Sequence, residues 1–175
     1  GETIVAAHQI AMSVTSQLFM IPMSLAIALT IRVGTYYGEK NWEAMRKVQK
    51  LGLATGTVLA LMTMLLIALF RPEIVAIYTS NHEVSEVAMY LLLFALAYQL
   101  MDAWQISAAG CLRGMQDTKG PMWITMVAYW IVAFPVSIYL ARYTNIGAAG
   151  VWIGLIVGLS VACALLLLRL YNNNK

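Results

Sequence analysis

The stretch Val87-Ala-Met-Tyr-Leu-Leu-Leu-Phe-Ala-Leu-Ala-Tyr98-Gln99-Leu-Met-Asp102-Ala-Trp-Gln105-Ile-Ser107-Ala-Ala-Gly-Cys-Leu112 decides the fold. It is a run of 26 residues between Glu86 and Arg113, apolar apart from Tyr98, Gln99, Gln105, Ser107 and one charge, Asp102. A helix rising about 1.5 Å per residue makes it long enough to cross a hydrocarbon core about 30 Å thick. Asp102 lies past its middle and well inside the apolar depth. A carboxylate there costs roughly 2.5–3.5 kcal/mol and is tolerated mainly where it faces a partner or water. It is the strongest functional signal in the sequence.

Outward from this run, four more apolar runs carry no charge: Ile10–Ile31, Leu51–Phe70, Pro121–Leu140 and Ile146–Leu168. Only 11% of the chain is charged and 61% is hydrophobic. Its mean hydropathy is +0.75. A soluble domain carries about 25% charged residues, so this composition belongs in a membrane. Strict alternation, the mark of barrel strands, is absent. The reading is an all-α membrane protein, a polytopic bundle of five transmembrane helices.

The basic residues set its orientation. Arg32, Lys40, Arg46, Lys47, Lys50, Arg113, Lys119, Arg169 and Lys175 flank one end of the spans, and Arg71 and Arg142 the other. The richer end is expected to be cytoplasmic, with the C-terminus on that side. That places the N-terminus outside, although the chain starts at Gly1 without a signal peptide. The expectation is that at least one further span precedes Gly1. The net charge of +3, clustered beside apolar runs, suits an anionic membrane surface better than nucleic acid.

Local signals fill in the connections. Between Gly34 and Lys50, Trp42, Met45, Val48 and Gln49 share a helical period, which predicts a short interfacial helix leading into the second span. Ser80 and Glu83 have capping-box spacing and predict the start of the third helix. Pro121 suits the first turn of the fourth. Pro22 and Pro135 lie inside spans and are expected to bend them. Gly150, Gly154 and Gly158 recur every four residues and predict a face for close helix packing. Cys111 and Cys163 read as packing residues, and the methionines of the spans as core fillers.

Two polar faces carry the functional expectation. Tyr98, Asp102 and Gln105 share a face of the third span, where a hydroxyl and an amide can hydrogen-bond the carboxylate or share a cation with it. The alternative is a structural acceptor for a neighbouring helix. Gln9, Ser13, Ser16, Gln17, Met20 and Ser24 form a stripe on the first span, which either bonds other helices or lines a hydrated path. Ser13, Gln17, Met101 and Gln105 are the cavity-lining candidates. Phosphate loops, His-Glu-x-x-His and nucleophile elbows are all missing, so the chain is not expected to be an enzyme.

Several motifs resemble the MATE (multidrug and toxic compound extrusion) transporters, and the NorM-like bacterial branch most closely. Ala7-His-Gln-Ile-Ala-Met-Ser and Pro22-Met-Ser-Leu-Ala through Ile31-Arg-Val-Gly34 are similar to that family's eighth helix. Tyr98-Gln-x-x-Asp102-x-x-Gln105 and Gly110-x-Leu-Arg-Gly114-x-x-Asp117-Thr118 resemble its tenth helix and the loop that follows. Val151-Trp-Ile-Gly154 is similar to its last. The resemblance implies the C-terminal part of a twelve-helix, two-lobe transporter, residues 1–175 being helices eight to twelve. It implies export of cationic, often aromatic drugs across the bacterial inner membrane in exchange for sodium or protons. Asp102 and Tyr98 would be the cation-coupling and cation-binding residues, with no cofactor beyond that ion. The implied partners are small-molecule drugs, membrane lipid, and the missing N-terminal lobe and seventh helix, which in that branch supplies a partner glutamate. Two other readings compete. A flippase for lipid or polysaccharide precursors would need basic residues inside its spans. A non-transporting membrane scaffold would leave Asp102 without a role.

Overall fold

The computed structural model describes residues 2–143 and 148–174. They form six α-helices: α1 (Glu2–Gly38), α2 (Trp42–Tyr78), α3 (His82–Gly114), α4 (Lys119–Val127), α5 (Phe134–Tyr143) and α6 (Ala148–Asn173). A π-helical segment, Ala128–Ala133, joins α4 to α5 in one continuous rod. The described residues thus give five helices long and apolar enough to cross a membrane. Ile146, the expected start of the last span, lies outside the described residues.

The third span is the axis of the bundle, with α1, α2 and α6 packed against it. One apolar cluster, with Ala7, Val14, Ile67, Leu91 and Trp152, fills one end. A second, with Leu29, Met45, Leu112 and Leu166, fills the other. α3 contributes to both. Because successive spans alternate in direction, the described basic residues of the richer set gather at the second end, and Arg71 and Arg142 lie at the opposite one.

Glycines set how closely the axis is approached. A Cβ at Gly110 would lie 2.6 Å from the Ala26 carbonyl oxygen, and one at Gly114 2.7 Å from that of Thr30. The α1–α3 crossing therefore needs bare backbone at both positions. The Thr30 hydroxyl donates to the Gly110 carbonyl oxygen at 3.0 Å and fixes the register. The glycine face of α6 meets the fourth span as expected. Gly150 sits against Leu140 and Ala141, Gly154 against Ser137, and Gly158 against Ala128 and Ala133.

The helices differ from the sequence expectation mainly at their ends. No separate interfacial helix precedes the second span. Its residues are the first turns of α2 itself, and the connection shrinks to a tight turn in which Lys40 takes φ 57°. The outer connection, expected over Arg71–Glu86, is mostly helix as well. α2 continues to Tyr78 past a kink at Phe70 (φ −110°, ψ 20°). The kink lets Pro72 stand near the start of a new helical stretch, where its missing N–H costs little. The cap of α3 is Asn81 rather than Ser80. The Asn81 Oδ1 accepts from the backbone N–H of Glu83 at 3.0 Å and of Val84 at 3.4 Å, satisfying two orphan donors of the first turn. α1 remains one helix through Pro22. Ahead of Pro135 the rod takes up the π-helical turn, one of the recognised ways a helix is distorted. Met20, Met23, Met62 and Met126 are exposed on the flanks rather than in the core.

Candidate functional site

Asp102 is 3% exposed. It stands on α3 among small neighbours: Ala103, Ser107 and Ala108 are buried with it. Its carboxylate lines a cleft of about 440 Å³ between α3 and the fourth span. Tyr98, Gln105, Ile106, Ala109 and Arg113 come from α3, and Phe19 closes the cleft from α1. Thr118, Pro121, Met122, Thr125 and Tyr129 form the facing wall. Among the described residues Asp102 makes no hydrogen bond and no ion pair. A buried ionised carboxylate without such partners is strongly disfavoured. The donor set around it is a hydroxyl from Tyr98, another from Tyr129, the Gln105 amide and the Thr125 hydroxyl. One carboxylate with neutral oxygens fits a proton or a small monovalent cation. Among the described residues no three acidic, histidine or cysteine side chains gather as a divalent site would require.

Local structure explains these positions. Tyr98, Asp102 and Gln105 share one face because they are four and three residues apart on a helix. Pro121, Thr125 and Tyr129 are each four apart on the fourth span and turn toward them. The Thr125 hydroxyl donates back to the Pro121 carbonyl at 2.8 Å. The π-helical turn begins one residue before Tyr129.

Tyr98 and Phe19 also border a smaller cleft of about 290 Å³, with Met12, Thr15, Ser16, Trp152 and Leu155. Tyr98 meets Trp152 edge-on, ring centres 6.3 Å apart. Trp152 is met edge-on in turn by His8 at 5.8 Å. Aromatic rings therefore separate Asp102 from the end of the bundle where α1 starts.

Beyond Arg113 the loop is tied down. Asp117 pairs with Arg169 and accepts from Asn173 at 3.1 Å and from the Gly120 backbone N–H at 3.2 Å. The Arg169 guanidinium hydrogen bond holds the Asp117 carboxyl below the usual carboxylate range. Gly120 leaves room for the Arg169 side chain to lie across the helix start.

Of the candidates from sequence, Asp102, Tyr98 and Gln105 meet in the cleft. Met101 is half-buried and outside its lining. Gln17 lines a different cleft, between α1 and α2, and donates to the Tyr78 hydroxyl at 3.4 Å. Ser13 is half-buried on α1 and is not in the Asp102 cleft. Along the first-span stripe, Ser16 and Ser24 are exposed and their hydroxyls turn back to the carbonyls of Met12 and Met20. Tyr129 and Thr125 were not anticipated, although their spacing of four on an apolar span was a legible signal.

Comparison with known proteins bears on family and fold. The MatE family model matches residues 1–139. The probable multidrug resistance protein NorM of Acinetobacter baylyi is 75% identical over 174 residues, covering 99% of this chain and 39% of the relative. The multidrug resistance protein NorM of Vibrio cholerae is 44% identical over 177 residues, covering 98% of this chain and 38% of the relative. The chain thus spans well under half the length of these relatives. Among solved structures, the eukaryotic MATE transporter AtDTX14 superposes with a TM-score of 0.92 at 24% identity, over 97% of this chain and 38% of that one. An outward-facing MATE transporter of the MOP superfamily gives 0.91 at 20% identity, over 99% and 39%. These likenesses bear out the fold: five apolar helices arranged as in part of a twelve-helix, two-lobe transporter. With its family model matched across most of its length, the chain belongs to the MATE family of membrane transporters.

Proposed function

We propose that the chain supplies the cation-coupling part of a multidrug antiporter, in which Asp102 alternates between a protonated or cation-bound state and a state that permits drug binding. The observation that carries this reading is the Asp102 carboxylate, buried and without a protein partner among the described residues. A structural acceptor would be held by a donor from a neighbouring helix. A proton or a monovalent cation held by Asp102, Tyr98 and neighbouring oxygens would remove the cost of the buried charge instead. Binding and release of that ion then bias the packing of α3 against the fourth span.

The residues around the carboxylate suit cationic aromatic drugs. Phe19, Tyr98 and Tyr129 bring aromatic side chains to the cleft, a residue type that attracts cations, and Met122 offers an adaptable apolar contact. The NorM relatives are named for multidrug resistance. A complete transport path requires a second lobe opposite this one, so residues 1–175 act as a portion of the C-terminal lobe and perform no covalent chemistry. The location is the bacterial inner membrane, with the basic end of the bundle and the C-terminus in the cytoplasm. A flippase for anionic precursors is disfavoured, because among the described residues Arg113 alone brings a basic side chain to the lining of the Asp102 cleft.

The test is drug efflux from right-side-out vesicles that hold the protein of the complete reading frame. Efflux should follow an imposed sodium or proton gradient and stop when that gradient is collapsed. Efflux that persists without either gradient would contradict antiport.

A further inference from the structure

At the basic end of the bundle, away from Asp102, the start of α2 and the end of α6 enclose a cleft of about 520 Å³. Arg46 and Lys50 stand one helical turn apart on its rim, and among the described residues neither makes an ion pair. Glu43, one turn earlier on α2, is not part of the lining. The floor is polar and ordered. Gln49, 2% exposed, accepts from the Asn174 amide at 2.7 Å and donates to the Met115 sulfur at 3.4 Å. The Asn174 side-chain oxygen, Oδ1, is buried and accepts no hydrogen bond among the described residues. Leu53 and Leu167 continue the wall toward the middle of the spans. Trp42, one turn before Arg46, is exposed and edge-on to Tyr37 at 5.6 Å, a pairing typical of headgroup depth.

We propose that this cleft binds one anionic phospholipid of the phosphatidylglycerol type. Its phosphate lies between Arg46 and Lys50, and a headgroup hydroxyl donates to the Asn174 Oδ1. One acyl chain follows Leu53 and Leu167. Basic clefts between spans on the cytoplasmic side are suited to anionic headgroups. Free phosphate would satisfy the two cations but leave the leucine wall bare. A zwitterionic lipid would bring its ammonium toward the same two cations.

The test is native mass spectrometry on the protein of the complete reading frame, in micelles doped with phosphatidylglycerol or phosphatidylethanolamine. Phosphatidylglycerol should be retained preferentially. The double variant Arg46→Gln, Lys50→Gln should lower its retention by about tenfold or more, while Arg142→Gln at the opposite end changes nothing. Asn174→Leu removes that oxygen together with the amide bonded to Gln49. It should weaken phosphatidylglycerol while sparing phosphatidic acid, which has no headgroup hydroxyl, and it decides the question if the double variant fails to fold. Equal retention of both lipids, indifference to the variants, or displacement by inorganic phosphate would overturn the assignment.

Discussion

Tyr129 and Asp102 stand on opposite walls of one cleft, one on the fourth span and one on α3. They are 27 residues apart in sequence, brought together because the two spans run antiparallel through the short turn at Met115–Thr118. If Asp102 holds an ion as proposed, Tyr129 is a second hydroxyl within the same cleft. Tyr129→Phe removes that oxygen and keeps the ring. In the protein of the complete reading frame, coupling-ion affinity should fall about two- to tenfold, the worth of one neutral hydrogen-bonding group. Drug-stimulated turnover at saturating ion should remain. Unchanged ion affinity would place the Tyr129 hydroxyl outside the site.

The glycine face of α6 predicts a packing defect. A Leu side chain at Gly154 has no space beside Ser137, whose backbone nitrogen would lie 2.6 Å from the first added carbon. Gly154→Leu should destabilise the protein in detergent by about 1–3 kcal/mol, the range for overpacking. Thermal unfolding followed by fluorescence reads the effect. Wild-type stability would mean that the face does not carry the contact.

The Asp117–Arg169 pair predicts a pH dependence with a definite sign. The folded-state pKa of Asp117 is below its ordinary 3.8. The pair therefore stabilises fully above that value, and the stability is lost as pH falls through the lower folded value. Asp117→Asn should lower stability at neutral pH by about 0.5–1 kcal/mol, as partly exposed pairs do. The gap between variant and wild type should close as pH falls below 3.8. A gap that widens on acidification would reverse the assignment.

Orientation is tested with tags. A reporter after Asn174 should lie in the cytoplasm, and a tag beside Ser80 should be labelled from outside, because the basic residues gather at the α6 end. Labelling of the turn at Lys40 from outside would invert the topology.

Much of this was legible in the sequence. The apolar runs are long and uninterrupted, so the spans could be counted by length alone. The Tyr98, Asp102 and Gln105 face followed from helical period, and the Gly150, Gly154 and Gly158 face from spacing. What escaped depended on contacts between spans or on local backbone choice. Nothing in Ala128–Ala133 announces a π-helical turn. The helix that carries Pro72 past Leu69 depends on the kink at Phe70, a property of the folded helix. The choice of Asn81 over Ser80 turned on one residue of helix start. The stripe on α1 split because Gln17 faces α2 and Tyr78 while Ser16 borders the cleft that Tyr98 lines.

The central claim is that the Asp102 charge couples an ion gradient to drug export. Asn keeps the side chain's shape and one acceptor oxygen but cannot ionise. The decisive measurement is gradient-driven drug efflux by the Asp102→Asn form of the protein of the complete reading frame, in vesicles with matched amounts of folded protein. The account predicts that drug binding is retained while efflux no longer responds to the sodium or proton gradient. Full gradient-dependent efflux by Asp102→Asn would contradict it and leave Asp102 as a structural residue.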